Sequence, residues 1–211
     1  MIVPVNPYPE LIFKSKFNFN ESHICESLSL ILSAKDLGKS HLEQGNAKSS
    51  IADQMRAPHN NEIFKDFFNW LDVQANEIIF NQYKLSKQFQ YYVGNSWVNQ
   101  HGFDGKTIAH NHGFSALSCV AYLKLPDNSG FTEFKDPYYD IKSLHEYANA
   151  DQPLKEFYPV EVEQNDVLIF PGWLAHRSQP NRNIKDRIIL SANYINFTNT
   201  YQQKIGDFLN I

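Results

Sequence analysis

At Gln88 the hydrophobic pattern of this chain changes period, and few architectures accept both halves. Before that point apolar residues recur every three or four positions, as in amphipathic helices. After it they alternate in short runs bounded by Gly, Pro, Asn and Asp, as in half-buried strands. The runs are Phe89–Asn99, Thr107–His112, Ser115–Leu125, Phe131–Phe134, Phe157–Val162, Val167–Phe170, Leu174–Gln179 and Arg187–Asn196. Two helices followed by eight short strands predict a mainly β protein: a closed or double-sheet barrel with helices covering one face. At 211 residues, one domain is expected, with a helical cover over 1–87, the β core over 88–197 and a tail over 198–211.

The helical half reads in order. Residues up to Lys16 are apolar but broken by Pro4, Pro7 and Pro9, which predicts an extended edge segment. Asn20 is placed to cap a first helix, with Glu21 at its positive end and Ile24, Leu28, Ile31 and Leu32 as its apolar stripe. Residues 36–61 are polar and aperiodic, so they are expected to be a loop, either a lid or disordered. A second helix is predicted from Asn61 to about Lys84. Its core-facing stripe is Phe64, Phe67, Phe68, Leu71, Ala75, Ile78, Ile79 and Tyr83. Within the β half, 136–154 is an insertion with a short helix expected over 141–148.

Charge narrows the class of partner. A net charge of −4 offers no basic footprint for nucleic acid, although one or two arginines could still hold a small anion. The two cysteines, Cys25 and Cys119, are far apart, which argues against a disulfide scaffold or a structural zinc site. Both are expected to be small buried hydrophobes. The proline-broken start does not resemble a signal peptide, and there is no run of 18 apolar residues, so a cytoplasmic, non-membrane protein is expected. Oligomeric state is not legible.

The chemistry lies in three histidines. His110 and His112 are two apart, and on a strand they would face the same side, about 6–7 Å apart at the backbone. His176 follows the apolar run Val167–Phe170, and a barrel would return it beside the pair. Taken singly, each histidine reads as a surface or hydrogen-bonded core residue. Together they form a set that can grip a metal ion.

From about Gln88 to Asn196 the chain resembles the iron(II)- and 2-oxoglutarate-dependent oxygenases, in particular a small, largely uncharacterised branch. The matching residues include Trp97-Val-Asn99, His110-Asn-His112, Tyr122-Leu-Lys124, Gly130-Phe-Thr-Glu-Phe134, Phe170-Pro-Gly-Trp-Leu-Ala-His176 and Arg187 through Ser191 to Asn193. The resemblance implies a double-stranded β-helix, the jelly-roll barrel that cupins also have. It implies Fe(II) held by His110, His112 and His176, and 2-oxoglutarate and O₂ as co-substrates. The reaction would hydroxylate a substrate and decarboxylate 2-oxoglutarate to succinate. Arg187 occupies the place of the arginine that anchors the far carboxylate of the oxoacid, a task suited to a bidentate cation. Ser191 and Asn193 share its strand face by parity. Asn99 and Tyr122 are further candidates to line the oxoacid pocket.

One departure matters. The usual pattern is His-x-Asp or His-x-Glu, and His112 stands where the carboxylate should be. Either His112 is itself the third ligand, or a carboxylate such as Glu133 or Asp136 completes the set. Arg187 could instead form a surface ion pair with Asp186 or Glu163. Arg177 and Arg182 read as solvated, and His41, His59, His101 and His145 as lying outside the site. A cupin-like metal-binding protein and a three-histidine dioxygenase that needs no oxoacid are the competing functions. The substrate is not named by any residue type, and specificity is expected in 36–61 and 136–154.

Overall fold

The computed structural model describes residues 11–145 and 154–196, apart from 36, 38 and 39. The expected start of the edge segment, the end of the short helix in the insertion and the C-terminal tail lie outside them.

The strands pair into one large antiparallel sheet and two smaller ones. In chain order the strands are β1 (Phe13–Lys16), β2 (Glu43–Gln44), β3 (Ala47–Ser49), β4 (Tyr91–His101), β5 (Lys106–Thr107), β6 (Leu117–Lys124), β7 (Thr132–Lys135), β8 (Phe157–Pro159), β9 (Asp166–Phe170), β10 (His176–Ser178) and β11 (Arg187–Asn196). The large sheet has the order β1-β9-β6-β11-β4-β3, and β10-β7-β8 form a second sheet. A third pair, β2-β5, continues the wall between them. The described end of the expected edge segment, β1, lies at the edge of the large sheet. This is the double-stranded β-helix.

Strand alternation divides the large sheet into two faces. Leu117, Cys119, Ala121, Leu123, Val167, Ile169, Ile188, Leu190 and Ala192 point outward into a core shared with the helices. Val120, Tyr122, Leu168, Phe170 and Ile189 point inward, towards Phe134 and Leu174 of the facing layer. Strand β4 does not alternate without interruption. Asn193 pairs with Asn95 but Tyr194 pairs with Val93, so Gly94 is an extra residue at a bulge. Asn95, Trp97 and Asn99 therefore keep one face while Tyr91 and Val93 turn to pack on the helical core.

Helix α1 (Glu21–Ala34) begins where Asn20 caps it, its side chain accepting from the His23 amide at 3.2 Å. Its buried face is His23, Ser27, Leu30, Ile31 and Ala34, whereas Leu28 and Leu32 are exposed. The expected stripe is thus rotated. His23 is drawn inward by the capping box with Asn20 and by Asp66, 3.3 Å away, and Ser27 bonds back to the His23 carbonyl. Cys25 is accordingly exposed rather than core; Cys119 is buried.

The second helix runs as a short turn (Glu62–Phe64), α2 (Lys65–Glu77) and a closing π-turn (Ile78–Gln82). Its stripe from Phe64 to Ile79 is buried as expected, with Tyr83 packed at the edge. Tyr194 donates a 2.5 Å hydrogen bond from β11 to Asp72, tying α2 to the sheet. Residues 40–61, expected as a loop, are built into the wall through β2, β3 and short helical turns. In the insertion, α3 spans Tyr139–His145.

Candidate metal centre

The expected strand over Thr107–His112 ends at Thr107, yet the histidines still converge. His110 and His176 exchange both backbone hydrogen bonds, at 3.0 and 2.9 Å, as an isolated bridge. The His112 amide donates to Gly172 O at 2.7 Å, which seats His112 against the turn leading to His176. One ligand atom from each of the three rings lies within 4.8 Å of the others. Ring centroids are 4.4 to 5.2 Å apart.

Hydrogen bonding directs the ring nitrogens. A backbone carbonyl only accepts, so Ile108 O at 2.8 Å and Leu174 O at 3.0 Å fix protons on His110 Nδ1 and His176 Nδ1. Their Nε2 lone pairs are left free. Beside His112 Nδ1 lies the Asn193 carboxamide, 3.4 Å away, which is also linked to Ser118 and Asn95. Burial lowers the His112 pKa to about 4 and the His176 pKa to about 3, and each feels the neighbouring His110. His110 is lowered by burial as well. All three are therefore neutral near pH 7, the form that binds a metal.

The three rings open into a cavity of about 130 Å³ whose walls include Trp97, Asn99, Thr107, Thr132, Ser178, Ser191 and Glu43. A larger open depression, about 910 Å³ between Leu125–Phe131 and Val162–Gln164, has no histidine in its lining. Neither carboxylate considered for the third ligand lines the histidine cavity. Glu133 accepts from Arg177 at 2.7 Å and from Gln179, and Asp136 pairs with Lys142 and accepts from the Tyr138 amide.

Arg187 is 1% exposed, which excludes a surface ion pair. Asp186 accepts from Gln100 and Glu163 from Lys16 instead. All five guanidinium N–H groups have protein acceptors. Nε donates to His101 Nδ1 at 3.3 Å, and Nη1 to Ser129 O and, at 2.9 Å, Gly130 O. Nη2 donates to Ser178 Oγ at 3.0 Å and Gln179 O at 3.1 Å. No carboxylate pairs with this buried cation among the described residues, and burial lowers its pKa to about 10. Arg187 stands behind the cavity wall, and Ser178 is the wall residue in front of it.

This arrangement leaves two hydroxyl protons, those of Ser178 and Thr107, without protein acceptors among the described residues. Ser178 Oγ accepts from Arg187 and from the Thr107 amide at 2.9 Å. His101 Nδ1 is an acceptor for Arg187, so its Nε2–H donates to Thr107 Oγ1 at 2.9 Å. Tyr122 OH accepts from the Thr132 amide at 3.1 Å and shares a 2.6 Å hydrogen bond with Thr132 Oγ1 in which either oxygen can be the donor. Ser178 and Thr107 thus spend their oxygens on protein donors and keep an O–H for the cavity.

Of the residues expected here, the three histidines, Asn99 and Ser191 line the cavity. Tyr122 and Asn193 support wall residues, and Arg187 acts from behind. His101, read from sequence as lying outside the site, is fully buried beneath Arg187. Arg177 and Arg182 are solvent-exposed, as expected, and pair with Glu133 and Asp104. Sequence reasoning missed Thr107, Thr132, Ser178 and Glu43. Only Ser178 carried a signal, being two residues after His176 on the same strand face.

Fold and cavity together define a jelly-roll protein with a cluster of three neutral imidazoles beside a buried, carboxylate-free arginine. The family model described as "Putative 2OG-Fe(II) oxygenase" matches residues 95–193. Similar solved structures include a Pseudomonas putida prolyl-4-hydroxylase: TM-score 0.56, 13% identity, covering 89% of this chain and 93% of that one. Another is HygX from Streptomyces hygroscopicus with nickel, 2-oxoglutarate and hygromycin B bound: TM-score 0.54, 11% identity, 87% and 82% covered. A third is the viral collagen prolyl hydroxylase of Paramecium Bursaria Chlorella virus-1 in its 2-oxoglutarate complex: TM-score 0.52, 15% identity, 88% and 96% covered. No curated protein matches the chain.

Proposed function

We propose that this chain is an Fe(II)- and 2-oxoglutarate-dependent oxygenase in which His110, His112 and His176 hold the iron. The observation that carries the reading is the convergence of three neutral rings within 4.8 Å, two of them with Nδ1 tied to carbonyls. His112 joins the set when the Asn193 carboxamide presents its oxygen to Nδ1, a turn that the reversible Ser118 and Asn95 partners can follow. When bound, the iron and the oxoacid supply oxidative decarboxylation to succinate, coupled to hydroxylation of a substrate C–H bond.

The residues around the rings fit a dianionic oxoacid. A buried cation without a carboxylate partner costs several kcal/mol, and an anion in the cavity offsets that cost. Arg187 has no N–H to spare, so it acts at one remove. Its charge polarises Ser178, and the Ser178 and Thr107 hydroxyls donate to the far carboxylate, with Thr132 beside them. Ser191 and Asn99 complete the wall, while Tyr122 and Asn193 position Thr132 and His112. The HygX structure with 2-oxoglutarate bound and the viral hydroxylase in its 2-oxoglutarate complex support the choice of oxoacid.

We take residues 1–211 as one oxygenase-like unit, a reading supported by the packing of α1 and α2 on the outer face of the large sheet. Among the described residues no helix is long and apolar enough to cross a membrane. Cytoplasmic placement remains the proposal made from sequence. The test of function is succinate formation from 2-oxoglutarate by the Fe(II)-loaded protein in air. Succinate should form in wild type and be lost in His176→Ala. Oxygen uptake that requires a substrate but no oxoacid would point to the other three-histidine chemistry instead.

A further inference from the structure

We propose that Glu43, on the segment that walls the cavity from the N-terminal half, supplies the negative charge that three histidine ligands do not bring to the metal. The proposal rests on the three histidines being the ligands. Glu43 is the acidic residue in the lining of their cavity. It is the cross-strand partner of Thr107, so both side chains stand on one face of the β2-β5 pair. The same segment is tied to a ligand through the backbone. Leu42 O accepts from the Ile108 amide at 2.9 Å, and Ile108 O accepts the Nδ1 proton of His110 at 2.8 Å.

The carboxylate has room for a cation. Glu43 Oε2 is buried with no hydrogen-bond partner, and Glu43 forms no ion pair among the described residues. Burial raises the Glu43 pKa, outweighing the opposing hydrogen bonds from Ser40 and its own amide, and a neighbouring cation would relieve that cost. Glu43 is not part of the 4.8 Å ligand cluster, so it acts from outside the ligand set, directly on the field or through a metal-bound water.

Counting charges gives the reason. A divalent ion, a dianionic oxoacid, Arg187 and three neutral imidazoles leave one uncompensated positive charge in a buried site. Glu43 brings the total to zero, as an Asp or Glu at position 112 would. Residue 43 lies outside the stretch matched by the family model, so the compensating charge comes from a part of the chain not shared through that match.

The test is a chelator-competition titration with Zn(II) alone, on the full chain, comparing wild type with Glu43→Gln, Glu43→Asp and His176→Ala. Glu43→Gln should keep one ion per chain but bind it roughly 10- to 100-fold more weakly, the range for residues just outside a ligand set. Glu43→Asp should stay closer to wild type than to Glu43→Gln. The metal-free melting temperature of Glu43→Gln should not fall, because an amide replaces a buried carboxylate oxygen that has no partner. Equal zinc affinity in wild type and Glu43→Gln, with His176→Ala unable to bind, would overturn this proposal alone. A weaker Glu43→Gln that also melts lower without metal would overturn it as well, by showing a structural role. A wild type that binds no zinc would overturn both this inference and the histidine assignment.

Discussion

His110 and His176 face each other across a single bridge, each donating its amide to the carbonyl of the other at 3.0 and 2.9 Å. That pairing sets their ring centroids 4.4 Å apart before any ion is present. Metal uptake should therefore be one divalent ion per chain and should need no large rearrangement. His110→Ala and His176→Ala should each lose it in an equilibrium dialysis measurement. Full stoichiometry in both variants would remove the assignment.

Ser178 is the contact between Arg187 and the cavity, so oxoacid affinity should depend on a hydroxyl as well as on the arginine. A hydrogen bond to a charged group contributes about 1.5–3 kcal/mol. By the tenfold-per-1.4-kcal/mol rule, Ser178→Ala should weaken 2-oxoglutarate binding by about 10- to 150-fold. Losing the buried charge of Arg187 should cost roughly 2–5 kcal/mol, or about 30- to several-thousand-fold. Because Arg187→Ala also strips donors from Ser129 O and Gln179 O, Arg187→Lys is the better-folded comparison. Calorimetric titration of the metal-loaded variants separates these outcomes, and metal affinity should survive in Ser178→Ala.

The histidines make metal-free stability sensitive to acid. Their folded pKa values lie below the ordinary value of 6.5, at about 4 for His112 and about 3 for His176. The unfolded chain therefore binds more protons than the folded one between those values and 6.5. Stability is full above pH 6.5 and falls as pH drops towards 4 and 3, by on the order of a few kcal/mol per histidine. Urea midpoints from pH 7 to pH 4 should decline in the metal-free protein. They should decline less in His176→Ala.

Gly172 sits where two backbones nearly touch. A Cβ there would overlap Ser115 O and lie 2.7 Å from His112 O. Gly172→Ala should cost about 1–3 kcal/mol through overpacking. It should also displace His112, so metal affinity should fall along with thermal stability. Calorimetric melting with and without zinc would show whether the two losses occur together.

Where a residue's environment repeats with the period of its element, the sequence was readable. The stripe from Phe64 to Ile79 and the strand Arg187–Asn196 match the structure because packing against one layer decides every position. Leu28 and Leu32 were misread because a capping histidine and the fit of Ser27 and Ala34 rotated the helix face. The bulge at Gly94 was invisible, since an isolated glycine does not say which neighbour loses register. The three histidines were legible from their residue type and spacing. The placement of Thr107, His101 and Glu43 was not, because it comes from a hydrogen-bond relay and a short strand pair formed between distant segments. The wall built from 40–61 has no hydrophobic period at all, which is why it read as a loop.

The account stands on iron and 2-oxoglutarate meeting in the cavity of His110, His112 and His176. The most direct measurement is an anaerobic titration of 2-oxoglutarate into the Fe(II)-loaded protein, following the visible charge-transfer absorption of an iron–oxoacid chelate. The account predicts a saturable band at one oxoacid per iron in wild type, absent in His176→Ala and needing far more oxoacid in Arg187→Lys. A wild-type protein that binds iron but develops no band at any oxoacid concentration would contradict it.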